Sequence, residues 1–180
     1  MSFLQMIRRL CLPISSCADF IRPIARFTSA AVIFAWITIS PISAAPLGKE
    51  QDRARIVAQI HSILSAQQDA WNRGDIDGFM NGYARSRSTI FVSEDAVRRG
   101  WETVRARYKK KYSDRAKMGL LAFSNLEITP VSAEAAVVLG RWKLKRAQDQ
   151  PHGRFTLVFR KSADGWRIVH DHTSAAASDR

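Results

Sequence analysis

The end of the sequence holds the residues best suited to chemistry, because His170, Asp171, His172 and Ser174 lie close together there. Alternate residues of a β-strand face the same side, so the two histidines are predicted to share a face with Trp166. An imidazole titrates near neutral pH and can transfer a proton or donate to a bound anion. His172 and His170 are therefore candidate catalytic residues, and hydrogen-bonded structural histidines are the alternative.

A metal centre is not predicted at this strand. His-x-His supplies two ligands, and the sequence places no obvious third ligand beside them. Ser174 is followed by Ala and lacks the surroundings of a hydrolase nucleophile, so a catalytic triad has no support either. No cofactor is predicted.

Further side chains are candidates for a ligand pocket. Arg141 shares a strand face with Val137 and Leu139, and an arginine on an apolar face favours a carboxylate or phosphate partner. A surface arginine whose stem covers apolar neighbours is the alternative. Tyr83 and Tyr108 each carry a hydroxyl that needs a partner when buried. The predicted pocket residues are Arg141, Tyr83, Tyr108, Phe91 and Ser174.

A long helix is predicted to form one side of such a pocket. Apolar residues recur at three- and four-residue steps from Ile56 to Trp71, which is the stripe of an amphipathic helix beginning near Asp52. The helix is predicted to end before Gly74, which can adopt the left-handed conformation of a C-terminal cap. Asp75 can then cap a short second helix.

The remaining elements change from helical to strand periodicity. A brief strand at 89–93 and a third helix from Gly100 to about Tyr112 come first. Beyond Met118 the apolar period becomes two, and turn residues separate the segments. Four strands are predicted there, at 120–129, 135–146, 154–161 and 166–173.

Helices followed by strands with short connections predict an α+β fold. Its expected form is a cone-shaped, curved antiparallel sheet wrapped on a long N-terminal helix, with two shorter helices. Apolar residues on both faces of the sheet leave one face to cover, so a homodimer is predicted. The residues expected to need that cover are Leu121, Phe123, Val138, Trp142 and Leu144.

Three stretches resemble the SnoaL-like group of the nuclear transport factor 2 superfamily, which includes ketosteroid-isomerase-like domains. They are Ala70-Trp-Asn-Arg-Gly-Asp-Ile-Asp-Gly-Phe79, Gly140-Arg-Trp142 and Gly165-Trp-Arg-Ile-Val-His-Asp-His-Thr-Ser174. The resemblance covers about 52–174 and implies a conical α+β fold with a pocket between sheet and helices, usually in a dimer. At Arg141 it implies a pocket arginine, as in the association domains of calmodulin-dependent kinases.

This resemblance leaves three functions open, because the group includes isomerases, polyketide cyclases, dehydratases and non-enzymatic association domains. The first is an exported small-ligand-binding domain whose pocket favours a small anion such as a carboxylate. The second is a general acid–base enzyme of isomerase, cyclase or dehydratase type that uses a tail-strand histidine. The third is a dimeric association module. Steroid isomerisation is disfavoured, because strand 89–93 has no acid and Gln67 stands at the position of the family's tyrosine.

The charge of the chain bears on its partners. The formal net charge is +12, and 24 basic residues against 15 acidic ones lie beyond residue 45. This excess favours anionic small molecules and a weak attraction to anionic membranes. No recognition motif for nucleic acid accompanies it, so nucleic acid is not a predicted partner. Both cysteines, Cys11 and Cys17, lie in the first 45 residues, which excludes disulfides and thiol chemistry from the rest.

The first 45 residues have the pattern of a secretory signal. Arg22 and Arg26 precede an uncharged run at 27–42, and small residues follow at 43–45. The predicted organisation is therefore a signal peptide or uncleaved anchor at 1–45, a short linker at 46–51, a SnoaL-like cone domain at 52–174 and a flexible tail at 175–180. An exported protein is expected, periplasmic or secreted, and anchored in the membrane if the leader is not cleaved.

We predict that the mature N-terminus lies between Ala44 and Leu47, because the apolar run and its small-residue exit end there. N-terminal sequencing of the exported protein measures this directly. Recovery of an intact 22–36 peptide from membrane-bound protein would instead indicate an anchor.

Overall fold

A computed structural model provides the structure of the protein, and it describes residues 47–176. The predicted leader lies outside the described residues. The first element is α1 (Leu47–Asn72), which buries Ile60, Leu64 and Trp71. It begins before Asp52, where the apolar stripe predicts its start. Residues 48–55 of α1 are exposed, so the buried apolar stripe does not extend into them.

The end of α1 follows the predicted chemistry. Gly74 has a φ of +85°, in the region that favours glycine, and its N–H donates to the carbonyl oxygen of Trp71 at 2.8 Å. The Asp75 Oδ1 atom then accepts a hydrogen bond from the Gly78 N–H at 2.7 Å, which caps α2 (Ile76–Met80). Both the glycine cap and the aspartate cap are confirmed.

Six strands and two more helices complete the domain. The strand order is β2-β1-β6-β5-β4-β3, with β1 parallel to β6 and the other neighbours antiparallel. The elements are β1 (Ile90–Ser93), β2 (Ala96–Arg99), α3 (Trp101–Lys111), α4 (Arg115–Met118), β3 (Leu120–Pro130), β4 (Ala135–Lys145), β5 (His152–Ser162) and β6 (Gly165–Thr173).

The α+β fold, with one sheet lying against a long helix, is confirmed. The domain has three shorter helices instead of the expected two, because α4 was not predicted, and its sheet is not wholly antiparallel, because β1 runs parallel to β6. The sequence pattern also missed β2, which forms a hairpin with β1 through a turn that includes Glu94 at a φ of 57°. Its four residues are half-buried or exposed and include Arg98 and Arg99, so they carry no apolar alternation.

The interior lies between α1 and one face of the sheet, which we call the inner face. Leu121, Val138 and Leu144 point to this face and are at most 7% exposed within a single chain. Phe123 and Trp142 pack at the edge of the same core. The expectation that these five residues need a second chain to cover them was therefore wrong. Leu121 and Phe123 of β3 pair with Leu144 and Trp142 of β4, and their side chains point with that of Val138 to the inner face.

An extra residue in β6 changes which side chains enter the interior. Ile168 pairs with Phe159 and His170 pairs with Val158, so Val169 is unmatched and forms a β-bulge. A bulge inverts the alternation of the residues that follow it. Asp171 is consequently buried, whereas His170 and His172 point to the opposite face, which we call the outer face.

Within residues 47–176, no helix has the length and apolar character needed to cross a membrane.

Candidate functional site

A cavity of about 120 Å³ lies between the inner face and the helices α1, α2 and α3. A single water needs roughly 10–15 Å³ on this measure, so the space suits a small molecule. Six of the lining side chains are aromatic rings without a hydroxyl: Trp71, Phe79, Phe91, Phe123, Trp142 and Phe155. Such walls favour an apolar, ring-bearing occupant.

A carboxyl–phenol pair contributes polar groups to the buried part of this cavity. The Tyr83 hydroxyl donates to Asp171 Oδ2 at 2.6 Å, and the Thr173 hydroxyl donates to Asp171 Oδ1 at 2.6 Å. Asp171 is 3% exposed and Tyr83 is 2% exposed. Each carboxyl oxygen keeps a second lone pair that can face a ligand.

The backbone around the bulge positions this pair. The Ile168 N–H donates to the Gly82 carbonyl, and the Ala84 N–H donates to the Ile168 carbonyl, both at 2.9 Å. Residues 82–84 are thereby held beside β6, with Tyr83 next to the strand that carries Asp171. Gly82 is required here because a Cβ atom would overlap the buried side chain of Gln67.

Burial controls the protonation of the carboxyl group. Removal from water raises the pKa of Asp171 to about 6, against the opposing effects of hydrogen bonds from Thr173 and Tyr83 and of the charges on His172 and Arg107. A carboxyl group with this pKa gains and loses its proton close to neutral pH, which is a property of general acid–base residues.

The phenols of the cavity remain proton donors. Burial and the neighbouring Asp171 raise the pKa of Tyr83 well above 10, and burial raises the pKa of Tyr108 well above the same value. Neither hydroxyl ionises at neutral pH. The phenols of Tyr83, Tyr108 and Tyr112 therefore line the cavity, and the first two lie close to the titratable carboxyl group.

Four of the residues predicted for the pocket line the cavity. These are Tyr83, Tyr108, Phe91 and Ser174. Arg141 does not line it, because Gly140 and Trp142 are the residues of β4 that face inward at this point. Arg141 lies on the outer face, opposite Arg154 of β5 and Ser124 of β3.

The two candidate catalytic histidines, His170 and His172, also lie outside the cavity lining. The unmatched Val169 is the reason, since it reverses the faces that a regular strand would give them. The interior position passes to Asp171, which sequence reasoning placed on the opposite face. The His-Asp-His motif identified the right segment, but no residue type in it reveals a bulge.

Sequence reasoning also missed two cations at the cavity. Arg107 and Lys111 of α3 line it, and neither is among the pocket residues predicted from the sequence. Their spacing from the buried Val104 and Tyr108 was an available signal, because residues three and four apart share a side of a helix. Among residues 47–176, no group of three His, Cys, Asp or Glu side chains could hold a metal ion.

We predict that Asp171 makes the stability of the domain depend on pH. Its folded pKa of about 6 lies above the reference value of 3.8, so the folded state binds the proton more tightly. The stabilising contribution is complete below the unfolded pKa and is lost as the pH rises through the folded one. Asp171→Asn keeps an acceptor for Tyr83 and removes this loss. As the pH rises from about 4 to about 7.5, the free energy of unfolding of the variant should increase by about 3 kcal/mol relative to that of the natural chain.

Chemical denaturation at a series of pH values measures this difference. Asp77→Asn is the control, because Asp77 is exposed and ion pairs with Arg105 and Lys109 lower its pKa to about 2. The Asp77 carboxylate has the opposite pH dependence: it stabilises the folded state above the unfolded pKa, and this stabilisation is lost only in acid. A constant difference between Asp171→Asn and the natural chain would contradict a raised pKa at Asp171.

Comparison with known proteins places the chain in a family. A sequence-family model, described as the SnoaL-like domain, matches residues 60–178. An NTF-2 like protein of unknown function from Shewanella oneidensis, a solved structure, is 43% identical; the match covers 66% of this chain and 98% of that one, with a TM-score of 0.63. No curated protein matches the sequence.

More distant structures share the fold alone. A ketosteroid isomerase-like protein from Erwinia carotovora atroseptica is 20% identical, with 67% of this chain and 95% of that one covered and a TM-score of 0.54. A scytalone dehydratase-like protein from Novosphingobium aromaticivorans is 9% identical, with 71% and 89% covered and a TM-score of 0.61. On the family match and the Shewanella structure, this chain belongs to the SnoaL-like domain family of the NTF2-like superfamily.

Proposed function

We propose that the domain binds a small, ring-bearing molecule inside the cavity. The observation that carries this proposal is an open, aromatic-walled space of about 120 Å³ that contains the buried Asp171–Tyr83 pair. An association module with a vestigial cavity would be expected to fill such a space with side chains. A ligand-binding function explains why the space is unfilled and why buried polar groups line it.

The walls define the chemistry of the ligand. Aromatic side chains contact a flat ring well, and the Tyr108 hydroxyl can donate to one oxygen on it. A carbonyl or hydroxyl oxygen suits that position. The opening lies where the exposed residues Glu94, Lys111, Ser174 and Ala175 border the cavity, so the ligand enters from this end.

A second function, proton transfer on the bound ligand, is favoured by the pKa of Asp171 at about 6. Ionised Asp171 can take a proton from a carbon next to a carbonyl group. The C–H electron pair then forms a carbon–carbon double bond, and the π pair of the carbonyl group moves onto its oxygen. Tyr108 can stabilise that oxygen by donating a hydrogen bond, because the Tyr83 hydroxyl already donates to Asp171. Return of the proton to a different carbon would give an isomerase-type reaction. The general base in this proposal is Asp171, in place of a tail-strand histidine.

We predict that the protein binds 2-tetralone, a neutral aromatic ketone with acidic C–H bonds, and exchanges those hydrogens with D₂O. Proton NMR measures the loss of the C–H signals. Asp171→Asn should retain binding, because the cavity keeps its shape, and lower the exchange rate by about 10²- to 10⁴-fold. The rate with the natural chain should rise through an apparent pKa near 6.

The exposed Asp77→Asn variant is the control and should exchange the ketone at the natural rate. Binding with no exchange in any variant would leave ligand binding standing and remove proton transfer. Failure of 2-tetralone and of similar ring ketones to shift any cavity resonance would contradict ligand binding itself.

We also propose that the domain is exported and forms a homodimer through the outer face. Val137 and Val158 are half-buried there, and Leu139 is 37% exposed. Arg141 and Arg154 stand directly opposite each other, which is unfavourable for like charges unless an acid approaches them. A second copy would cover the apolar residues of this face.

We predict that Leu139→Arg converts the dimer into a monomer, because it adds a cation to a face that already carries the Arg141–Arg154 pair. Analytical ultracentrifugation measures the mass. Val131→Arg is the matched control, since Val131 is 67% exposed beside the β3–β4 turn and should leave the dimer intact. A natural chain that sediments as a monomer throughout would contradict the dimer.

A further inference from the structure

A half-buried arginine lies between the opening of the cavity and its interior. The guanidinium carbon of Arg107 lies 4.8 Å from the centroid of the Phe91 ring and 5.9 Å from that of Tyr108. Arg107 takes part in none of the ion pairs formed between residues 47 and 176. A cation held against cavity walls without a carboxylate can accept an anion from a ligand.

The hydrogen bonds of Arg107 leave most of its donors free. Its Nη2 atom donates to Ser93 Oγ at 3.2 Å, and the same oxygen accepts from Arg98 Nη1 at 3.4 Å. A guanidinium group has five N–H donors, so one bond to a serine uses a small part of its capacity. Because Ser93 Oγ accepts from two arginines, its own O–H proton is also directed elsewhere and can donate to an anion.

Other cations crowd the same opening. Lys111 lies one helical turn beyond Arg107 and also lines the cavity. Burial lowers the pKa of Lys111 below 10.5, and the positive charges of Arg107, Arg146 and Arg98 lower it further, whereas Glu94 opposes them. A bound anion would relieve the repulsion that these positive charges exert on Lys111.

Arg146 shows the same shortage of acceptors. Its Nε atom is buried and has no hydrogen-bond partner among the described residues. Its terminal nitrogen reaches Asp149 only at 3.5 Å. Buried donors are nearly always satisfied in folded proteins, so an acceptor is missing beside Arg146, whose positive charge also lowers the pKa of Lys111 at the opening.

The cavity is therefore polarised along β1. Asp171 is paired with Phe91, and Thr173 is paired with Ser93, two residues nearer the opening. Two strand residues span about 7 Å, so the Arg107 contact at Ser93 and the interior carboxyl group are separated by roughly the width of one aromatic ring. An anionic group is repelled by ionised Asp171 and attracted at the opening, which allows one orientation for a charged ring.

We propose that the ligand is a ring-bearing monocarboxylate whose carboxylate binds Arg107, Ser93 and Lys111 at the opening while its ring occupies the aromatic interior. This inference rests on the proposed ligand-binding function and names the class of ligand. The planar fork of a guanidinium group matches a carboxylate, and one anionic charge suits a site that also holds Glu94.

The test compares 2-naphthoate with 2-naphthamide, which has the same shape without the charge, by isothermal titration calorimetry on the full chain. The natural protein should bind the carboxylate about 10- to 100-fold more tightly than the amide. Arg107→Gln should abolish this preference and leave amide binding within about twofold. Arg107→Lys should restore part of it, because a charge remains.

Lys110→Gln is the matched control, since Lys110 lies on the same helix, is exposed and does not line the cavity. It should keep the full preference, whereas Lys111→Gln should lose about three- to tenfold. Lys111→Gln and Arg107→Lys decide the matter if Arg107→Gln does not fold.

The outcomes separate the two proposals. If the natural chain binds neither compound, the proposed ligand-binding function fails. If it binds both equally, or if Arg107→Gln keeps the preference for the carboxylate, ligand binding stands and the carboxylate site is wrong. Tighter binding of 2-naphthyl phosphate than of 2-naphthoate would overturn the choice of a monocarboxylate.

Discussion

The unmatched residue Val169 is the constraint on which the interior of this domain depends. A strand alternates its side chains, so one extra residue reverses every face that follows. The reversal brings Asp171 inward and turns His170 and His172 outward. Ile168, just before the bulge, uses its N–H and C=O on residues 82–84, and this pairing also holds the Tyr83 phenol beside the carboxyl group.

A buried carboxyl group is costly unless the fold supplies hydrogen bonds. Here the two oxygens of Asp171 accept hydrogen bonds from the hydroxyl groups of Tyr83 and Thr173, and burial still raises the pKa of the carboxyl group to about 6. The group is therefore poised between its two protonation states in physiological conditions. A structural role alone would be met by an asparagine or a serine, whereas a titratable group in an open cavity can also act on what enters it.

The arrangement differs from the steroid isomerisation pattern at two positions that the sequence already marked. Gln67 occupies the helix position of the family's tyrosine, and its side chain donates to the Phe79 carbonyl at 2.8 Å and packs on Gly82. Strand β1 has no acid; it ends in Ser93, which accepts from two arginines. The phenol and the carboxyl group of this cavity come instead from Tyr83 and Asp171, and the charge at the opening is positive.

Local sequence patterns predict the class of fold and most of its elements, with the exception of β2 and α4. Helical and strand periods, the Gly74 and Asp75 caps and the resemblance to the SnoaL-like group identified α1, the four long strands and a cavity lined by Tyr83 and Tyr108, because local periodicity and capping depend on neighbouring residues. The face of the sheet to which each side chain points depends on tertiary contacts. Contacts between residues far apart in the chain produce the bulge at Val169, the parallel pairing of β1 with β6 and the position of Arg107 over the Phe91 ring. The periodicity of side chains along one segment carries no information about such contacts.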